Sequence, residues 1–233
     1  MNKQNFIKNI KQNIFSLSIC SLTIILSLIF AIVYKSSILV ISSSLLSIIT
    51  VLFTLHAKVI ASIIAIFDAI FYALVSYLNG FYGEVIIHIF IIIPISIYAI
   101  IEWFNNRKKS QVKIKKVSKK EVIFISCFSV LFLFGFYFLL RLFNTQQLIP
   151  STLSILFTSL GCFYVARRSG FGFIMYVLSD ICLMIMWGSL IISDEHVLIP
   201  IFLNQILFLI LDTYSVIKWN KIYKNQQQHI LNY

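Results

Sequence analysis

The sequence predicts an all-α membrane protein of about eight transmembrane helices. Two parallel three-helix repeats are joined by a linker helix (3+1+3), and an extra helix stands at the N-terminus. Three observations predict this fold. Sixty per cent of the 233 residues are hydrophobic and 12% are charged, with a mean hydropathy of +0.95, and uninterrupted apolar runs near 20 residues are bilayer-spanning lengths. The basic residues segregate to one side of an eight-span count. The same helix ending is also written twice, as "SIYAIIEWFNNRKK" (Ser96–Lys109) and "DTYSVIKWNKIYK" (Asp212–Lys224).

Residues 1–35 hold a tail with Lys3, Lys8 and Lys11, then a span at 14–34. No small-residue cleavage site follows and more spans come after, so it reads as a retained helix rather than a signal peptide. The first repeat, 36–104, carries spans at 37–55, 60–79 and 82–103. A basic loop occupies 105–121 and the linker segment 122–145 contains a span at 122–143. The second repeat, 146–220, has spans at 148–166, 171–192 and 201–219, before a tail at 221–233. With both termini cytoplasmic, every Lys and Arg falls inside except Lys35 and Arg141, and the acidic "SDEH" (Ser193–His196) falls outside. Cytoplasmic loops collect positive charge, and an odd number of spans would scramble that segregation.

The net charge of +11 is thus a consequence of topology. The segment "RKKSQVKIKKVSKK" (Arg107–Lys120) lacks the aromatic interleaving of a nucleic-acid site and sits between two spans, so it reads as a loop facing anionic lipid. Cys20, Cys127, Cys162 and Cys182 stand singly inside spans, without metal-ligand spacing, and read as packing residues. No phosphate-cradling Gly loop, nucleophile elbow or metal cluster is present, which argues against an enzyme, a metal or a cofactor.

Aligning Tyr98 and Trp103 with Tyr214 and Trp219 sets His88 and Ser96 opposite Asn204 and Asp212. One span earlier, Asp68 and Asp180 each sit mid-helix. An odd linker helix makes both copies enter the membrane in the same direction, giving parallel repeats about an axis along the membrane normal.

A charged Asp at the centre of a membrane helix costs on the order of 2.5–3.5 kcal/mol on insertion scales. Asp68, Asp180 and Asp212 have no mid-membrane Lys or Arg to pair with. A transported cation, an internal hydrogen-bond network or protonation must satisfy them. Phe173, Tyr176, Asp180 and Trp187 share one helical face, as do Asp68, Tyr72 and Ser76, and Asn204, Phe208 and Asp212. Aromatic faces with carboxylates suit a flat cationic ring, and polar groups such as His88, Asn204 and Gln205 suit a sugar.

The stretch "SYLNGFYGEVIIHIFIIIPISIYAIIEW" (Ser76–Trp103) resembles the signature of the PnuC family of bacterial vitamin transporters, and "ARRSGFGFIMYVLSD" followed by "TYSVIKW" is similar as well. The resemblance covers roughly 37–220. It implies a SWEET-like architecture in the bacterial cell membrane and facilitated diffusion, with the vitamin trapped by a cytosolic kinase. Nicotinamide riboside is the substrate of most members, thiamine or riboflavin of others. Where nicotinamide riboside members carry a Trp-x-x-Trp pair, this chain has Phe173 and Tyr176, so a stacking platform survives in altered form. Asp180 favours a cationic ring, which nicotinamide riboside and thiamine share and riboflavin lacks. Family frequency favours nicotinamide riboside, with thiamine or another nucleoside-like vitamin as the alternative. A vitamin-binding subunit of an energy-coupled importer would carry an Ala-x-x-x-Ala docking face, which residues 14–34 lack. An intramembrane aspartyl protease would need Gly-x-Gly-Asp motifs, which none of the three Asp residues has. Whether the chain assembles as a homo-oligomer is left open.

Overall fold

The computed structural model describes residues 3–108 and 111–231, with side chains from Ile14 to Arg107 and from Gln111 to Gln228. Met1, Asn2, Lys109, Ser110, Asn232 and Tyr233, which belong to the predicted tails and basic loop, lie outside the described residues. The chain is built from α1 (Lys3–Val33), α2 (Ile38–Leu55), α3 (Ile60–Leu78), α4 (Tyr82–Ile87), a π turn (His88–Ile92) and α5 (Ile93–Asn105). A two-residue ladder of β1 (Arg107–Lys108) with β2 (Gln111–Val112) follows. Then come α6 (Lys119–Leu142), α7 (Leu148–Ala166), α8 (Gly172–Ile192), a short 3-10 turn (His196–Leu198) and α9 (Ile199–Leu231). Within hydrocarbon every backbone polar group must be satisfied inside its own segment, which is why these apolar runs are helical. Eight helical segments are long and apolar enough to cross a membrane, with α4, the π turn and α5 forming one of them.

Helix starts and stops follow local chemistry. Ser37 caps α2 and Ser118 caps α6, each accepting a backbone N–H through its side chain. Pro150 and Pro200 fall in the first turns of α7 and α9, where a missing N–H costs nothing. The fourth span departs from a plain α-helix. Its π turn leads into Pro94, which has no N–H to continue the ladder, and the wider turn sets His88 facing the bundle interior. Two helices run past the expected span limits. α1 takes in the predicted tail from Lys3, and α9 continues into the 221–233 tail as far as Leu231, where Ile222 and Tyr223 keep packing on the core beyond Trp219.

α2 packs on α3 and α3 on α5. In the second half α7 packs on α8 and α8 on α9. α9 also meets α2 and α1, closing the bundle, whereas α6 leans mainly on α7 and buries almost nothing. The core consists of four apolar clusters stacked along the bundle, and Trp103, Trp187 and Trp219 are its largest fully buried side chains.

Candidate transport site

A cavity of about 160 Å³ opens between α2, α3, α4, the π turn, α7, α8 and α9. α8 supplies Phe173, Tyr176, Asp180 and Leu183. Its close crossing with α7 depends on two glycines. A Cβ on Gly172 would lie 2.5 Å from the Gly161 carbonyl oxygen, and one on Gly161 would lie 2.6 Å from Tyr176 Cδ1. Gly161 therefore makes the space in which the Tyr176 ring stands. Phe173 meets Tyr176 edge-on at 6.2 Å and Trp219 at 5.0 Å.

α9 contributes Gln205, Phe208 and Asp212, and α3 contributes Asp68 and Tyr72. Ser47 donates to Asp68 Oδ1, tying that carboxylate to α2. Tyr72 stacks on His88 with centroids 4.5 Å apart, and its hydroxyl oxygen accepts from Trp187 Nε1 at 2.6 Å and from Gln205 Nε2 at 3.4 Å.

Eight of the ten residues expected at the site thus line one cavity: Asp68, Tyr72, His88, Phe173, Tyr176, Asp180, Gln205 and Asp212. Trp187 and Asn204 stand behind the wall. Trp187 holds the Tyr72 hydroxyl and packs edge-on against Phe81 at 5.0 Å. Asn204 bonds back to Ser44, donating to its carbonyl at 3.0 Å and accepting from its hydroxyl at 3.2 Å, which ties α9 to α2.

Sequence reasoning missed Glu84. It follows the Gly80 turn at the very start of a span, where an acid reads as a loop residue. Here it is fully buried and lines the cavity. Ser154 donates to Glu84 Oε1 at 2.6 Å, while Oε2 lies 3.7 Å from His88 Nδ1, which is itself bonded to the Glu84 carbonyl at 2.7 Å. The i,i+4 spacing of Glu84 and His88 was the available signal.

Electrostatically the cavity is one-sided. Four carboxylates line it, and no Lys or Arg does among the described residues. Its buried polar atoms without a protein partner are Thr50 Oγ1, Glu84 Oε2, Asp180 Oδ2 and Gln205 Oε1. With the carboxyls ionised, the last three can only accept. In that ionised state the site calls for hydrogen-bond donors and positive charge. Below Tyr176 a second chamber of similar volume continues through Thr50, Thr54, Asp68, His88 and Thr158 to Ser96, Ala99 and Trp103.

Against models of protein families, residues 37–221 match the one described as "Nicotinamide mononucleotide transporter". The chain belongs to the nicotinamide mononucleotide transporter (PnuC) family. It is a multi-pass membrane transporter rather than an enzyme. α1 lies outside the residues that match the family. Among solved structures, the chain superposes with a TM-score of 0.80 on the "Crystal structure of the Vitamin B3 transporter PnuC", covering 91% of this chain and 92% of that one. At 16% identity the likeness is one of fold. No curated protein matches the chain.

Proposed function

We propose that the protein carries nicotinamide riboside across the bacterial cell membrane by facilitated diffusion, and that cytosolic phosphorylation traps the vitamin. The observation that carries this reading is the cavity lined by four carboxylates, with unpartnered oxygens on Glu84, Asp180 and Gln205 and an aromatic platform of Phe173 and Tyr176. Nicotinamide riboside brings one cationic ring, which stacks and is held by charge, and hydroxyl and amide donors for the orphan oxygens. In this reading Asp180 and the platform hold the ring, and Gln205, Asp212 and Glu84 bind the polar half. Asn204 acts through Ser44 to fix the wall.

The end of the bundle that carries the termini and the basic 105–121 loop faces the cytoplasm, by the charge segregation. Segments 36–104 and 146–220 are two parallel repeats, supported by the matching order in which α2, α3 and α5, and then α7, α8 and α9, pack. Counterflow of labelled nicotinamide riboside, thiamine and riboflavin in proteoliposomes tests the reading. Exchange of nicotinamide riboside is expected. Exchange of thiamine alone would reassign the substrate while keeping the cation, and exchange of riboflavin alone would overturn the charge reasoning.

A further inference from the structure

The segment between the two halves is not a solvated loop. From Gln111 to Lys115 exposure alternates, with Gln111, Lys113 and Lys115 facing water and Val112 and Ile114 buried. That is the period of an extended strand lying on a surface. Its backbone is fastened to four separate places. Val112 N donates to the Ala57 carbonyl at 3.1 Å, Lys113 N to Asn106 O at 2.8 Å and Lys115 N to Arg168 O at 2.9 Å. Gln226 on α9 accepts from Ile114 N at 2.9 Å and donates to the Val112 carbonyl at 3.1 Å. Arg168 completes the fastening, donating to Lys113 O and to Glu102 Oε1, both at 2.9 Å.

The two buried side chains sit in a telling place. Val112 and Ile114 belong to one apolar cluster with Ala61, Ala99, Trp103, Val165 and Ala166. Those five residues also line the second chamber. The strap therefore packs in the same apolar cluster as the residues at the Ala99 and Trp103 end of that chamber.

We propose that Val112 and Ile114 form the cytoplasmic plug of the transport path, and that release requires the strap to lift from Ala57, Asn106, Arg168 and Gln226. The proposal rests on the transporter reading and on the basic end being cytoplasmic. The fastenings suit such a part, because each of the four places holds the strap by only one or two hydrogen bonds, and such contacts are individually weak. The plug occupies the position of a gate without being part of the substrate site.

A native thiol reports on it. Cys162 is free, buried and lines the second chamber. With Cys20, Cys127 and Cys182 replaced by Ser, a water-soluble maleimide applied to the purified protein reads how often the chamber opens. Gln226→Ala removes two fastenings without touching the cavity, and Ile114→Gly removes half the plug. Each is expected to speed Cys162 labelling at least fivefold, and to leave vitamin affinity within about twofold by calorimetric titration. Should Ile114→Gly fail to fold, Gln226→Ala still decides. Unchanged labelling in a folded Gln226→Ala protein would overturn the plug. The mating measurement uses Ala57→Cys with Val112→Cys in a protein lacking the four native cysteines. Oxidation should stop counterflow at least tenfold while binding persists, and reductant should restore it. Counterflow that continues through a disulfide verified by mass spectrometry would also overturn the plug. If strap variants change Cys162 labelling yet no vitamin exchanges, the substrate reading fails and the plug stands.

Discussion

Trp103 and Trp219 meet at one end of the bundle with ring centroids 5.9 Å apart, and each donates its indole N–H to the opposite half. Trp103 reaches the Ala166 carbonyl at 2.9 Å and Val165 O at 3.2 Å, and Trp219 reaches Thr54 O at 3.3 Å. The two Trp residues are the mates of the doubled helix ending. Thr54 stands to Ala166 at the same offset in sequence as Asp68 to Asp180. The bonds thus occupy corresponding positions in the two halves of the chain, each half donating to the other. Trp103→Phe removes the donor to the Ala166 carbonyl and leaves a smaller ring, while Val165 O keeps its bond from Arg168 N. It should cost about 1–3 kcal/mol, the penalty for an unmet buried group. Trp219→Phe should cost less, its bond being single and longer. Thermal melts of the detergent-purified variants check the order.

Glu84 separates binding from stability. Glu84→Gln keeps the shape and an acceptor for Ser154 but removes the charge that faces the cavity. Affinity for the transported vitamin should fall by about 1.5–3 kcal/mol, the range for a hydrogen bond to a charged group, or roughly tenfold to a hundredfold. The empty protein should melt no lower, since a desolvated carboxyl has been relieved. Calorimetric titration beside a melt reads both. Full affinity with a lowered melt would make Glu84 a structural residue.

Asp68 and Asp180 both line the cavity but have different surroundings, and their Asn variants should diverge. Asp68 is tied to Ser47, whereas Asp180 Oδ2 has no partner in the protein. Asp180→Asn should lose about 1.5–3 kcal/mol of binding, and Asp68→Asn should act mainly on the melting temperature. Equal losses of affinity in both would remove the distinction drawn from Ser47.

Transport should need neither ATP nor an ion gradient. Carboxylates in membranes commonly relay protons, so the four in this cavity make the point worth testing. Uptake into vesicles lacking a kinase should stop at equal concentrations inside and out. Accumulation beyond that level, collapsed by an uncoupler, would make one of them a coupling site.

The span count was readable because it rests on two independent physical signals, apolar length and basic segregation, and neither needs tertiary contacts. Eight of the ten residues expected at the site line one cavity because helical periodicity puts Asp180 with Tyr176 and Asp212 with Phe208 on single faces. Periodicity cannot say how far along a face the cavity extends. Trp187 and Asn204 share those faces but stand behind Tyr72 and Ser44. Glu84 was hidden because burial at a span's first turn depends on α7, which is distant in sequence and brings Ser154 against it. The strap was hidden by its own charge. The alternation of Val112 and Ile114 with lysines is a strand signal, but the lysines dominate any average over the segment.

Gly161 tests whether the position of the Tyr176 ring matters more than its chemistry. The ring occupies the space of the missing side chain, with Cδ1 and Cε1 falling 2.6 and 2.7 Å from where a Cβ would stand. Both distances are below van der Waals contact, so in Gly161→Ala the ring must turn away or α7 must part from α8. Parting is resisted, because Gly172 already brings α8 against the Gly161 carbonyl and Val165. The ring is therefore the part that moves, and it moves out of stacking register with the cavity. Gly161→Ala should then lose binding about as Tyr176→Ala does, roughly 0.5–2 kcal/mol, the span for cation–π contacts. Tyr176→Phe keeps the ring in place and should largely retain affinity. Titration of the three variants with the transported vitamin decides the matter. Gly161→Ala binding like the unaltered protein, with Tyr176→Ala impaired, would show that the helices part instead and that the ring keeps its place.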